Sequence, residues 1–180
     1  MQSLIREVGI KRIVKYFFYS LWQVGFNALL FSPLRILWMQ LAGAKIGHNC
    51  FIDAIDFFNL DRTGIKGITI GNNCFIGRRV LLDLAGKMEL GNYVTIAPNA
   101  TILTHINVGL KGHPLLAAYP PKISHTRIAD GSFIGTGSIV VGGATIGEKV
   151  MIGAGTVVRG RIHSRHLVVG KTTNYKKKIT

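Results

Sequence analysis

An aliphatic residue recurs every six positions along most of this chain, and that period constrains the fold more than any other feature. Aligned on dipeptides of the Ile-Gly kind, the units open as IGHNCF from Ile46, IGNNCF from Ile70, LGNYVT from Leu90, IADGSF from Ile128 and IGEKVM from Ile146. Aliphatic first positions continue at Ile76 and Leu82, Ile96 and Ile102, Ile134 and Val140, and Ile152 and Val158. Three hexads make a unit of eighteen residues, and Ile128 to Ile146 is one complete unit. This pattern suits three short flat strands per turn, joined by tight corners where Gly or Asn accepts backbone angles that β-branched residues resist. The aliphatic residues then point into a triangular prism. In the same register Cys50 and Cys74 stand with Val94, Ser132 and Val150, a position where a small side chain packs inward. The two thiols are accordingly expected in the core, with no CxxC spacing to indicate metal or redox chemistry.

The rhythm breaks once. After Leu90, Ile96 and Ile102 the chain reads TILTHINVGLKGHPLL from Thr101, and the next step comes only at Ile128. A long excursion from a strict repeat adds no core and costs closure entropy, and loops projecting from a rigid scaffold are where binding surfaces are built. His105, the fourth residue of its hexad, stands where the chain leaves the prism for the loop at 107–124.

The hexads resemble the left-handed β-helix of the hexapeptide-repeat acyltransferases, over roughly residues 44–169. The run IADGSFIGTGSIVVGGATIGEKVMIGAGTVVRG is similar to the C-terminal coils of the maltose, galactoside and polysaccharide O-acetyltransferases. The expected fold is an all-β solenoid, a left-handed parallel β-helix with an N-terminal helical segment and a projecting loop. The resemblance implies acetyl transfer from acetyl-CoA to a hydroxyl of a sugar, such as a lipid-linked or surface-polysaccharide precursor, in a homotrimer with sites between subunits. A histidine at the end of a Thr-His or Ser-His step, just before a projecting loop, is the general base in those enzymes, and His105 matches it. An unperturbed imidazole pKa of about 6.5 suits that task near neutral pH. By the same resemblance Asn99 is a candidate acceptor contact and Thr136 and Ala154 are candidate CoA contacts. Arg159, Lys171 and Lys176 stand where the groove should end and offer the cations that the CoA phosphates need, and His113, a loop residue able to reach the acceptor, is the rival base and a candidate acceptor contact. The tail departs from the relatives' Gly-Asn-Pro-Ala-Lys, reading GKTTNYKKK from Gly170. No carboxylate has a register that obviously orients His105.

Twenty-two Lys and Arg against eight Asp and Glu give a formal charge of +14, which favours an anionic partner. The aromatics crowd the N-terminus, away from the basic tail, so nucleic-acid binding is not expected. A γ-type carbonic anhydrase would need three histidines on one zinc, and none lies between His48 and His105. An N-acyltransferase acting on an amino sugar stays open. Two cysteines make no disulfide framework, and no cleavage site follows the apolar N-terminal segment, which points to the cytoplasm.

Tyr16 to Leu34 is a run of nineteen uncharged residues, bordered by Lys11, Arg12 and Lys15 before it and by Arg35 after it. Gln23, Asn27 and Pro33 weaken it as a bilayer span. Residues 1–43 are therefore expected to form helices broken near Ser32–Pro33, lying at the inner membrane surface as a monotopic anchor. Packing of this apolar surface on the prism or on a neighbouring subunit is the alternative.

Overall fold

The computed structural model describes residues 10–109 and 111–170. Six successive coils carry short strands, and each coil contributes one strand to each of up to three parallel sheets. The first coil holds β1 (Lys45–Ile46), β2 (Phe51–Ile52) and β3 (Asp56–Phe58). The second holds β4 (Ile68–Ile70), β5 (Phe75–Ile76) and β6 (Leu81–Asp83), and the third β7 (Met88–Leu90), β8 (Thr95–Ile96) and β9 (Thr101–Ile102). After the excursion come β12 (Thr126–Ile128), β13 (Phe133–Ile134) and β14 (Ile139–Val140), then β15 (Thr145–Ile146), β16 (Met151–Ile152) and β17 (Val157–Val158), and last β18 (Arg161–Ile162) and β19 (Leu167–Val168). The sheet orders are β1-β4-β7-β12-β15-β18, β2-β5-β8-β13-β16-β19 and β3-β6-β9-β14-β17.

Pairing brings the hexad positions into columns. Ile46, Ile70, Leu90, Ile128, Ile146 and Ile162 stack in the first sheet, and Ile52, Ile76, Ile96, Ile134, Ile152 and Val168 in the second. Leu82, Ile102, Val140 and Val158 form the third. From the second coil to the fifth these side chains are almost wholly removed from water, and they are the core. Alternate residues point outward. Those of the first sheet are polar or charged, whereas Phe51, Phe75, Phe133, Met151 and Leu167 leave an apolar strip along the second.

Three coils exceed the eighteen-residue unit. Ile46 to Ile70 is six residues longer, Ile70 to Leu90 two, and Leu90 to Ile128 twenty. All three excesses leave at the same corner, between the third sheet and the first. They form a short helix α3 (Leu60–Thr63), the turn around Gly86, and an antiparallel hairpin of β10 (His105–Ile106) with β11 (Lys122–Ile123).

The open edge of the first coil is closed by two helices, α1 (Ile10–Ala28) and α2 (Ser32–Leu41). The expected break at Ser32–Pro33 is present, with Pro33 in the first turn of α2, where a missing N–H costs nothing. An unpaired strand edge needs partners, and side chains supply them. Gln23 donates to the Ile55 carbonyl and accepts from the Phe57 amide, at 3.2 and 3.1 Å, and the Ser32 hydroxyl accepts from the Ile52 amide at 2.8 Å. Gln40 donates to the Ile46 carbonyl. Trp22, Phe26, Trp38 and Phe57 pack beneath this seam with centroids 5.3 to 6.2 Å apart.

Cys74 is buried and Cys50, in the end coil, is half-buried, in the expected column with Val94, Ser132 and Val150. Burial pushes the Cys74 thiol up to about 11. At neutral pH only about one molecule in ten thousand then carries the reactive thiolate. A maleimide should therefore label Cys50 first in the native protein and Cys74 only on unfolding, as followed by mass spectrometry of proteolytic fragments. Equal fast labelling of both would contradict the register.

Candidate functional site

The three excesses and the first helix enclose a cavity of about 470 Å³. Asn59, Asp61 and Arg62 line it from the first excess, Ala85 from the second, and Ile106, Asn107, Pro121 and Ile123 from the third, while α1 adds Arg12, Ile13 and Tyr16. Arg12 is paired with Asp61 across this wall. His105 lies on the wall with its side chain one-fifth exposed, and Phe58 packs obliquely on its ring at 5.9 Å.

Behind the ring sits Asp83, with no exposed surface. Its Oδ2 accepts from His105 Nδ1 at 2.6 Å and from the Thr104 amide at 2.7 Å; its Oδ1 accepts from Asn59 Nδ2 at 2.7 Å and from the Ala85 amide at 3.2 Å. The Thr104 hydroxyl donates toward Asp83, lying 2.8 Å from its carbonyl and 2.9 Å from Oδ2, and accepts from the Gly86 amide at 2.9 Å. Burial alone would raise the carboxyl pKa, but the hydrogen bonds from Asn59, His105 and Thr104 outweigh it and hold Asp83 below its ordinary value. An ionised carboxylate only accepts, so the proton on this contact belongs to Nδ1. The 3.4 Å approach of Asn59 Nδ2 to Nδ1 is then a contact between two donors that bond different oxygens of one carboxylate. The basic nitrogen left on the ring is Nε2. A neutral imidazole held in one tautomer by a buried carboxylate has the chemistry to act as a general base. Above it, in the fourth coil, a Cβ on Gly142 would stand 2.8 Å from the His105 amide nitrogen, so this position admits no side chain.

Asp83 and Asn59 were not apparent from the repeat. One signal for Asp83 is present in LLDLAG: a lone acid in an apolar run is rarely buried unless partnered.

The other candidates fall elsewhere on the chain. Asn99 occupies a left-handed corner at φ 61°, on the edge between the second and third sheets. Thr136 and Ala154 stack on that edge, through the Gly137 amide on the Pro98 carbonyl and the Gly155 amide on the Thr136 carbonyl. Arg159 lies on the His105 edge, two coils above. His113 caps a single turn in the loop by accepting from the Leu115 amide at 3.2 Å, and it is exposed and does not line the cavity. Lys171 and Lys176 lie outside the described residues. Among the described residues no three His, Cys, Asp or Glu side chains are grouped to hold a metal ion.

Comparison with known proteins bears on the repeat and the fold. Residues 125–160 match the family described as bacterial transferase hexapeptide (six repeats), and residues 63–86 match the hexapeptide repeat of succinyl-transferase. The two matched stretches are thus similar to hexapeptide repeats of the bacterial transferase type. The chain is 33% identical over 142 residues to a serine acetyltransferase of Bacillus subtilis and 31% over 143 residues to that of Bacillus pumilus. In both cases the match takes in 79% of this chain and 63% of the relative. The chain thus spans somewhat under two thirds of the length of these relatives. Among solved structures it is similar to a maltose O-acetyltransferase from Clostridium difficile 630, with 25% identity, a TM-score of 0.70, and 88% and 83% of the two chains covered. It shares its fold with the hexapeptide-repeat acetyltransferase VCA0836 of Vibrio cholerae, at a TM-score of 0.76, 19% identity and 94% coverage of both chains. A galactoside acetyltransferase solved with coenzyme A also shares it, at 0.72 and 19%, over 94% of this chain and 86% of that one.

The depressed Asp83 pKa sets a direction for acid stability. A carboxyl lowered on folding stabilises above its unfolded pKa of about 3.9, and the contribution is lost as pH falls through the still lower folded value. Asp83→Asn turns a donor toward one of the donors that converge on this carboxylate. It should cost about 1.5–3 kcal/mol at neutral pH, with the deficit shrinking below about pH 3.9. Denaturant titrations of both proteins at the two pH values check this. A deficit that does not change with pH would mean that Asp83 is not ionised in the folded protein.

Proposed function

We propose that this protein is an O-acetyltransferase that moves acetyl from acetyl-CoA to a hydroxyl of a sugar, on a β-helix of the left-handed type. The observation that carries this reading is the Asp83–His105 pair on the wall of a cavity built from the three excesses. His105 Nε2 takes the proton of the acceptor hydroxyl as its oxygen attacks the thioester carbonyl. Collapse of the tetrahedral intermediate expels the CoA thiolate, which takes the proton back from Nε2. Asp83 keeps Nδ1 protonated and stabilises the imidazolium without itself accepting the proton. The transfer is direct, with no acyl-enzyme.

Acetyl-CoA fits the small-residue edge at Thr136–Gly137 and Ala154–Gly155. A Cβ on either glycine would meet nothing within 4 Å, so the edge is open to a slender chain. In one protomer this edge and His105 lie on opposite sides of the third sheet. Two copies are needed to bring them together, which supports a homotrimer with each site between subunits. The apolar outer strip Phe51, Phe75, Phe133, Met151 and Leu167 offers surface for such packing. Arg159, Lys171 and Lys176 are proposed to meet the CoA phosphates; Asn99 and His113, which do not line the cavity of their own chain, are proposed to meet the acceptor held between two subunits. The serine acetyltransferase relatives favour a second reading in which the hydroxyl belongs to an amino acid.

A transfer assay with acetyl-CoA and panels of sugars, amino sugars and serine separates these acceptors. His105→Ala should lower kcat about a hundred- to ten-thousand-fold with CoA affinity by calorimetry little changed, while His113→Ala acts mainly on acceptor KM. Normal turnover in His105→Ala would remove the base. Separately, light scattering should give the mass of three chains, and Phe133→Glu with Met151→Glu should give one. A wild-type monomer with full activity would refute the shared site.

A further inference from the structure

The first helix carries apolar residues on its outer face as well as its inner one. It turns Tyr19, Trp22, Gln23 and Phe26 toward the prism, while Ile10, Val14, Phe17, Phe18, Leu21 and Val24 stand at least 48% exposed. Their spacing of three, four and seven residues places them on one face of the helix. The link and the second helix extend this surface with Leu30, Phe31, Leu34, Leu37 and Leu41. Residues 10–41 include no acidic residue, Lys15 is exposed, and the whole chain carries +14. Among the described residues no helix is long and apolar enough to cross a membrane.

The stripe is continuous with the cavity. Ile13 is one helical turn from Phe17 and Tyr16 is its neighbour, and both line the cavity that ends at His105. Ile106, Pro121 and Ile123 carry apolar surface further along the same wall. A face of this size exposed to water is unfavourable, and an anionic bilayer matches both its hydrocarbon and its charge. A second copy seated on the stripe would close over the Ile13–Tyr16 rim, whereas a bilayer surface leaves that rim at headgroup level.

We propose that the outer face of the two helices docks on an anionic bilayer, and that the cavity beside it takes a membrane-held amphiphile whose headgroup presents the acceptor hydroxyl to His105. The acceptor class rests on the acetyltransferase reading; the docking face does not.

The test uses the full chain and its triple variant Phe17→Ser, Leu21→Ser, Val24→Ser, none of which lines the cavity. Both are floated with vesicles of equimolar phosphatidylglycerol and phosphatidylcholine, at low and high salt, with light scattering of each alone. The wild type should float, and the variant should partition roughly a hundredfold less, with unchanged mass and CoA affinity. A wild type left in solution, or a variant that floats equally, overturns the docking face; a variant whose mass falls assigns the stripe to a second copy instead. For the acceptor, labelled acetyl-CoA is supplied with the organic-phase and the aqueous extracts of the source cells. Label entering the organic phase through the wild type, and lost in the variant, supports the membrane-held acceptor, and label in the aqueous phase alone overturns it. No label in either, with flotation intact, counts against acyl transfer and leaves the docking face standing.

Discussion

Everything in this molecule is arranged around the in-register stacking of aliphatic columns. Once Ile70 lies on Ile46 and Leu90 on Ile70, every later coil inherits the inward positions of the coil before it, and the chain can depart from the repeat only at a corner. The three departures that occur all use one corner. Stacked in adjacent coils, they project side chains into the same space, which gives a rigid repeat one irregular edge. The cavity is the result of that coincidence, and α1 closes it because the first coil needs a partner for its open edge.

The most expensive element of the site is a carboxylate with no exposed surface. Burying a charge is tolerated only when donors converge on it, and Asn59, Ala85, Thr104 and His105 do so from three different coils. Thr104 and His105 follow directly on the third column, and Asn59 and Ala85 stand near the start of the first two excesses. The same set of bonds leaves Asp83 unable to donate and so determines which imidazole nitrogen carries the proton. Fold and tautomer are therefore linked through one side chain, and the chemistry assigned to His105 depends on a carboxylate with no exposed surface.

The strictly periodic parts of this arrangement were legible in the sequence. The columns, the inward place of Cys74, the departure at His105 and the helix break at Ser32–Pro33 all follow from spacing or from proline chemistry. Asp83 was not legible, because its approach to His105 depends on a two-residue excess between Leu82 and Leu90 and on a neighbouring coil twenty-two positions further along the chain. Asn59 was hidden for a similar reason, in a longer excess that a hexad alignment skips. Gln23 illustrates a different limit: it reads as a polar flaw in an apolar run, and its role as the partner of the Ile55 and Phe57 backbone appears only when the edge it seals is in place. Asn99 has the corner geometry of its register, yet in a single chain it stacks on a different edge from His105.

The account stands most directly on the protonation of one ring. Nitrogen NMR of protein carrying labelled histidine, recorded where the ring is neutral, distinguishes a protonated Nδ1 from a protonated Nε2. With Asp83 ionised and bonded to Nδ1, the signal of His105 should be that of the Nδ1–H tautomer, and in Asp83→Asn this preference should weaken. A neutral His105 with its proton on Nε2 in the wild type would leave no basic nitrogen facing the cavity, and would contradict the role given to both residues.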